Sequence, residues 1–138
     1  MEETDKIWIS LFTPQIGETS YEIIPREARP QLVRELLELR AQFPKLNMQK
    51  GLIENYLNTP SDPSKCIFAR TTRTVTADLQ KLVTPCQFGG NPDCSQCGCI
   101  ASAGLNALGN HRLPGGLRVG WIYEKSLQIG ERVAAMRG

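Results

Sequence analysis

Histidine is almost missing from this chain. Among its 138 residues there is one, His111, which excludes any site built from two or three imidazoles and the commonest zinc-hydrolase arrangements with it. It follows a predicted helix end, where a cation interacts well with the helix dipole, so it reads as a cap. No run of about eighteen apolar residues occurs, so no transmembrane helix and no membrane partner are expected. A net charge of +2 is too small to argue for nucleic acid or an acidic lipid surface. The first residues, Met1 to Lys6, lack the basic and apolar regions of a secretory leader, which points to a cytoplasmic, reducing environment. Internal repeats and low-complexity tracts are absent too.

What is present is an apolar content of 41% against 22% charged residues, which makes the chain globular. The length suits one ordinary domain or a piece of a larger protein. The five cysteines are an odd number, so they cannot all pair as disulfides within the chain. Four of them lie in Pro85-Cys-Gln-Phe-Gly-Gly-Asn-Pro-Asp-Cys-Ser-Gln-Cys-Gly-Cys99. Soft thiolates among glycines and prolines read as a metal or iron–sulfur nest.

Lys6 to Thr13 carries apolar residues almost without interruption, the pattern of a strand buried on both faces of an α/β sheet or barrel. Gln15 and Glu18 follow it in a loop, the place where α/β proteins carry ligands. A helix is predicted over about 26–43, with Leu32, Leu36, Leu39 and Phe43 on one face, Pro30 in its first turn and Pro44 ending it. A second spans 48–58 and buries Met48, Leu52 and Tyr56. Thr59 to Lys65, with two prolines, reads as a boundary between a unit at 1–60 and one at 61–138.

In the second unit, 67–70 and 74–77 read as a small hairpin with Cys66 at its start. Cys99 opens a small-residue helix over 100–108. A short strand is predicted at 117–122 and an amphipathic helix at 126–136, carrying Leu127, Val133 and Met136. Trp8 and Trp121 are core or interface aromatics.

A cubane cluster needs four converging thiolates. Cys94 and Cys97 supply two from a tight turn, and Cys66 and Cys86 two more from either side of the hairpin. Cys99, one glycine beyond Cys97, is the candidate spare, although Cys99 as a ligand with Cys94 or Cys97 spare is equally compatible with the spacing. Zinc in a four-cysteine tetrahedral site fits the same residues. A redox pair of Cys94 and Cys97 is the third possibility.

The run Ile7-Trp-Ile-Ser-Leu-Phe-Thr-Pro-Gln-Ile-Gly-Glu18, the linker before Cys66, Thr84-Pro-Cys-Gln-Phe-Gly-Gly90 and Asp93-Cys-Ser-Gln-Cys-Gly-Cys-Ile-Ala-Ser102 together resemble the carboxyl-terminal part of a radical S-adenosylmethionine protein. The second half resembles its SPASM or twitch auxiliary-cluster region, in which a cysteine precedes a β-hairpin and others follow it. Too few cysteines are present for two auxiliary clusters, so a single, twitch-like 4Fe–4S cluster is the better match.

The resemblance implies an α/β fold of mixed α+β character. The last strand and helices of a partial TIM-like barrel would precede a cysteine-rich hairpin-plus-helix module. It implies a cluster held by Cys66, Cys86, Cys94 and Cys97, with Gln15 and Glu18 facing the cofactor or substrate cavity. The module would relay electrons or bind substrate. The catalytic Cys-x-x-x-Cys-x-x-Cys motif of that family does not occur here. S-adenosylmethionine chemistry is therefore expected only with a missing N-terminal barrel segment or a partner chain, the present chain being a fragment or one half of a split enzyme.

Overall fold

Two prolines frame the first helix of the computed structural model, which describes residues 4–138. Helix α1 (Arg29–Gln42) takes Pro30 in its first turn, where no intrahelical N–H is lost, and stops at Phe43, before Pro44. Helix α2 (Lys50–Glu54) tightens into a 3₁₀ turn at Asn55–Leu57. Helix α3 (Ile67–Thr71) precedes β1 (Thr74–Val75) and β2 (Leu82–Val83). Helices α4 (Ile100–Asn110) and α5 (Val119–Arg137) close the chain. The class is mixed α+β, dominated by helix. Among the described residues the only sheet is the antiparallel pair β1–β2, in the register Thr74↔Val83 and Val75↔Leu82.

The core joins Leu11, Val33, Leu36, Leu46, Met48, Ile53, Tyr56 and Ala103. Met48, Ile53 and Tyr56 are its most buried large side chains, and burial of each contributes about 1.5–3 kcal/mol. The Tyr56 hydroxyl donates to the Ile9 carbonyl at 2.8 Å, so its one polar atom is satisfied inside. Residues on both sides of position 60 supply this core, because Ala103 of α4 packs against α2 and its neighbours.

Four expectations are corrected. Residues 6–13 form no strand of a parallel sheet. Ile7 makes one isolated parallel bridge with Leu46, and the Leu11 N–H then donates to the Gly98 carbonyl at 2.9 Å. The run touches two separate segments at single points, so no continuous ladder forms. Its burial alternates: Leu11 and Thr13 are buried and Trp8 is exposed.

Residues 67–70 are helical rather than the first strand of the hairpin, since Ile67 and Phe68 begin α3 and that helix packs on α4. Tertiary contact here outweighs the β-propensity of so short a segment. The hairpin is displaced to 74–83. Its turn is fastened by the Thr76 N–H donating to the Lys81 carbonyl at 2.9 Å and the Gln80 N–H donating to the Asp78 carboxylate at 3.1 Å.

The short strand expected at 117–122 is instead the start of α5, which runs unbroken through the segment read as the final helix. No α5 residue is fully buried, and Met136 is exposed. In α1 the buried stripe is Arg29, Val33 and Leu36, while Leu39 and Phe43 are exposed.

Two glycine contacts set the packing. A Cβ on Gly98 would stand 2.2 Å from the Leu11 carbonyl oxygen, so only glycine lets the cysteine loop lie against residues 10–13. Helices α4 and α5 meet at Gly109 and Gly120, where a Cβ on Gly120 would stand 2.9 Å from the Gly109 carbonyl oxygen. No described helix is long and apolar enough to cross a membrane.

Candidate metal centre

Each cysteine is placed by a different local device. Cys66 follows the 3₁₀ turn Pro63–Lys65, itself capped by Asp62, and stands at the N-terminal end of α3. Cys86 follows β2 by way of Pro85. Gly89 and Gly90, at φ of +62° and +58°, then turn the chain back through the left-handed region that other residues avoid. Cys94 opens a 3₁₀ turn, Cys94–Gln96, capped by the Asp93 carboxylate, which accepts from the Ser95 N–H at 3.0 Å. Burial raises the Asp93 carboxyl, but hydrogen bonds from Ser95 and Gln96 together outweigh it and hold it below the usual range. Cys97 ends that turn. Cys99 is the N-cap of α4, its sulfur accepting from the Ser102 N–H at 3.4 Å.

The loop is held from behind by the rest of the chain. Arg29, 2% exposed, donates to the carbonyls of Gln96 (2.5 Å), Cys97 (2.9 Å) and Tyr56 (3.2 Å). The Gly98 N–H donates to Thr13 Oγ1 at 2.9 Å, and Ser10 Oγ donates to the Gly98 carbonyl at 2.9 Å. Thr59 Oγ1 donates to the Ser95 carbonyl at 2.8 Å.

The result is one cavity whose wall carries all five cysteines, Cys66, Cys86, Cys94, Cys97 and Cys99. Between them stand Phe68, Phe88 and prolines, so the lining apart from sulfur is mostly apolar. Cys66, Cys97 and Cys99 are buried, Cys86 and Cys94 partly so, and all five are free thiols. Among the described residues no three His, Cys, Asp or Glu side chains are placed to hold one metal ion as they stand. The thiols surround a space without converging on a point.

Polar groups reach several of the sulfurs, the Phe88 backbone at Cys86 and the Thr13 hydroxyl at Cys97 among them. Cys99 Sγ also accepts from Gln87 Nε2 at 3.2 Å, and Cys66 Sγ lies 3.2 Å from Ser102 Oγ. The thiols differ accordingly. Burial pushes Cys94 up to about 11, helped by the neighbouring thiols, and burial raises Cys86 as well. Cys99 is drawn below the usual thiol range, by its hydrogen bond with the Cys97 thiol first and then, against burial, by the N–H groups at the start of α4. Cys97, sharing that bond and buried, is raised.

All five sequence-predicted sulfur ligands therefore come together, and the proposed spare, Cys99, lies with the rest. Gln15 and Glu18 do not line this cavity. The Gln15 N–H donates to the Glu18 carboxylate at 2.8 Å, and the Gln15 side-chain carbonyl accepts from the Asn91 N–H at 2.6 Å. With the Ile16 N–H on the Asn91 carbonyl and the Asp93 N–H on the Pro14 carbonyl, both at 2.8 Å, these residues fasten residues 14–18 to the cysteine loop. His111 caps the α4 end through its backbone, and its side chain is exposed. Sequence reasoning missed Arg29, Thr13, Gln87 and Ser102. Ser102 had a signal, three residues into a helix whose cap is Cys99; the other three had none.

No protein family, no curated protein and no solved structure matches this chain.

Proposed function

We propose that this chain binds a 4Fe–4S cluster in the cysteine cavity and serves as the auxiliary, C-terminal module of a radical S-adenosylmethionine enzyme. The observation that carries the reading is the gathering of all five thiols on one largely apolar wall. Soft thiolates suit iron–sulfur and zinc sites alike. Zinc draws four sulfurs to about 2.3 Å from one point, whereas a cubane spreads them around its corners, and it is the resemblance of the cysteine loop to an auxiliary-cluster region that turns the reading toward the cubane.

When bound, the cluster supplies one-electron transfer or a coordination site for substrate. The chain's own residues do the rest. Cys66, Cys86 and Cys94 hold three corners, and Cys99 holds the fourth, because its sulfur already faces two N–H donors that favour the thiolate. Cys97, buried beside it, is the fifth thiol. Gln87 and the Ser102 N–H keep hydrogen bonds on a ligand sulfur, which tunes a cluster's potential. Phe68 and Phe88 shield the cavity from water. The barrel that would hold S-adenosylmethionine comes from a further segment or a partner chain, and this chain alone is not expected to cleave that cofactor.

Anaerobic reconstitution with iron and sulfide tests the reading. A brown protein with about four irons per chain and a cubane EPR signal on reduction is expected. A colourless protein that retains stoichiometric zinc and never takes up iron would overturn it in favour of a zinc-stapled domain. A Cys94–Cys97 disulfide that forms reversibly on oxidation, with no iron form, would point to thiol redox chemistry.

A further inference from the structure

A second cavity, of about 380 Å³, opens where α3, α4 and the first turn of α5 meet. That is within the usual size of small-ligand sites. Its character is opposite to that of the cysteine cavity. Three cations line it from three different elements: Lys65 from the turn before Cys66, Arg70 from α3 and Arg118 from the cap of α5. One carboxylate, Glu124, stands against them and lies 4.0 Å from Arg70. The Lys65 ammonium forms no ion pair within 4.0 Å among the described residues, although the Asp62 carboxylate is near enough to feel its charge. Arg118 Nη2 donates to Asn110 Oδ1 at 2.5 Å, which fixes the guanidinium and leaves its other donors available. Trp121, 50% exposed, forms part of the wall. Asn106 adds a carboxamide, whose amino group is 3.4 Å from Ser102 Oγ.

We infer that this groove binds a small organic phosphate bearing a planar ring, of the chemistry and size of a nucleoside monophosphate. Converging arginines and a lysine match a phosphate monoester, which accepts several charge-assisted hydrogen bonds at once. The half-exposed indole, with Lys125 Nζ 5.8 Å over one face of its ring, offers its remaining aromatic surface to a ring. The Asn carboxamides offer the paired donor and acceptor that a ring edge uses.

The groove also adjoins the cysteines. Lys65 and Ile67 line it and flank Cys66, Pro60 borders both cavities, and Asn106 reaches Cys66 through Ser102. A bound phosphate thus sits beside the thiol cavity without touching it, and the inference holds whatever that cavity contains.

Trp8 and Trp121 are the only two tryptophans, so Trp8→Phe makes Trp121 the sole indole reporter. Titration of that variant with AMP is expected to give a saturable fluorescence change, and adenosine or inorganic phosphate alone to bind at least about tenfold more weakly. Arg70→Gln and Arg118→Gln should each weaken AMP about tenfold, the effect of one lost charge-assisted hydrogen bond, with unchanged circular dichroism as the control for folding. In the unmutated protein, AMP should shift the amide NMR signals of Asn106 and Trp121. No saturable response to AMP at millimolar concentration, phosphate binding as tightly as AMP, or an unchanged Kd in the double Arg variant would each overturn the inference.

Discussion

The two cavities share helix α4 and differ in almost everything else. One lies at its N-terminal end, where Cys99, Ser102 and Ala103 are buried. There thiols, prolines and aromatic rings line the wall, and the backbone around them is bonded to Arg29, Thr13 and Ser10. The other lies toward the C-terminal half, where Asn106 and Asn110 line an open groove with charged side chains. The first is over-determined by backbone contacts and should answer sharply to substitution. The second lies on the packed junction of α3, α4 and α5 with its charged side chains at the surface, and changes to those side chains should alter binding while leaving the fold intact.

The sharpest break is at Gly98. Gly98→Ala places a methyl 2.2 Å from the Leu11 carbonyl oxygen, and backbone cannot yield as a side-chain tip does. A loss of about 3 kcal/mol or more, with loss of iron uptake, is expected in thermal melts and reconstitution. Next comes Arg29→Met, which leaves the carbonyls of Gln96, Cys97 and Tyr56 without their shared donor. Chemical denaturation should show about 2–4 kcal/mol lost.

The cysteines sharpen the comparison within their own cavity. Cys99→Ser should reduce bound iron more than Cys97→Ser, by metal analysis after reconstitution. The reverse order would return Cys97 to the ligand set and make Cys99 the spare.

In metal-free protein the thiols also set a pH dependence. Burial first, then neighbouring thiols, raises Cys94 from its ordinary 9.0 to about 11 in the fold. A group raised on folding stabilises below its unfolded value, and that stabilisation disappears as pH climbs through the folded one. The melting temperature should therefore fall between about pH 9 and 11, and Cys94→Ala should flatten that fall. Smallest of all is Gly130→Ala in α5, where a Cβ meets nothing within 4 Å. It should stabilise by about 0.5–1 kcal/mol through helix propensity alone.

Much of the helical framework was legible in the residues because its signals are local. Pro30 and Pro44 bracket α1, and Cys99 marks the start of α4. Met48 and Tyr56 are buried as their spacing predicted. The strand at 6–13 was misread because a continuous apolar run looks the same whether it is paired along its length or held at isolated points. Residues 67–70 were misread because four residues carry too little local preference to resist packing on α4. The site was legible as a list of sulfurs. Which further groups touch them was not, since Arg29 lies 68 positions from Cys97 and Thr13 85 from Gly98.

By itself, then, the sequence determined the donor chemistry: five soft thiols, one imidazole, and glycines and prolines where a loop must bend around them. Those properties belong to residue types and short spacings, which no fold can change. Tertiary structure decided that all five sulfurs share one apolar wall, that Cys99 is the thiol drawn down by its Cys97 partner and the α4 N–H groups, and that Gln15 and Glu18 fasten a loop. It also decided that Lys65, Arg70 and Arg118 meet in one groove. Each of these depends on distances between segments remote in the chain. Packing alone sets such distances, through close approaches such as Gly98 against Leu11 and Gly120 against Gly109.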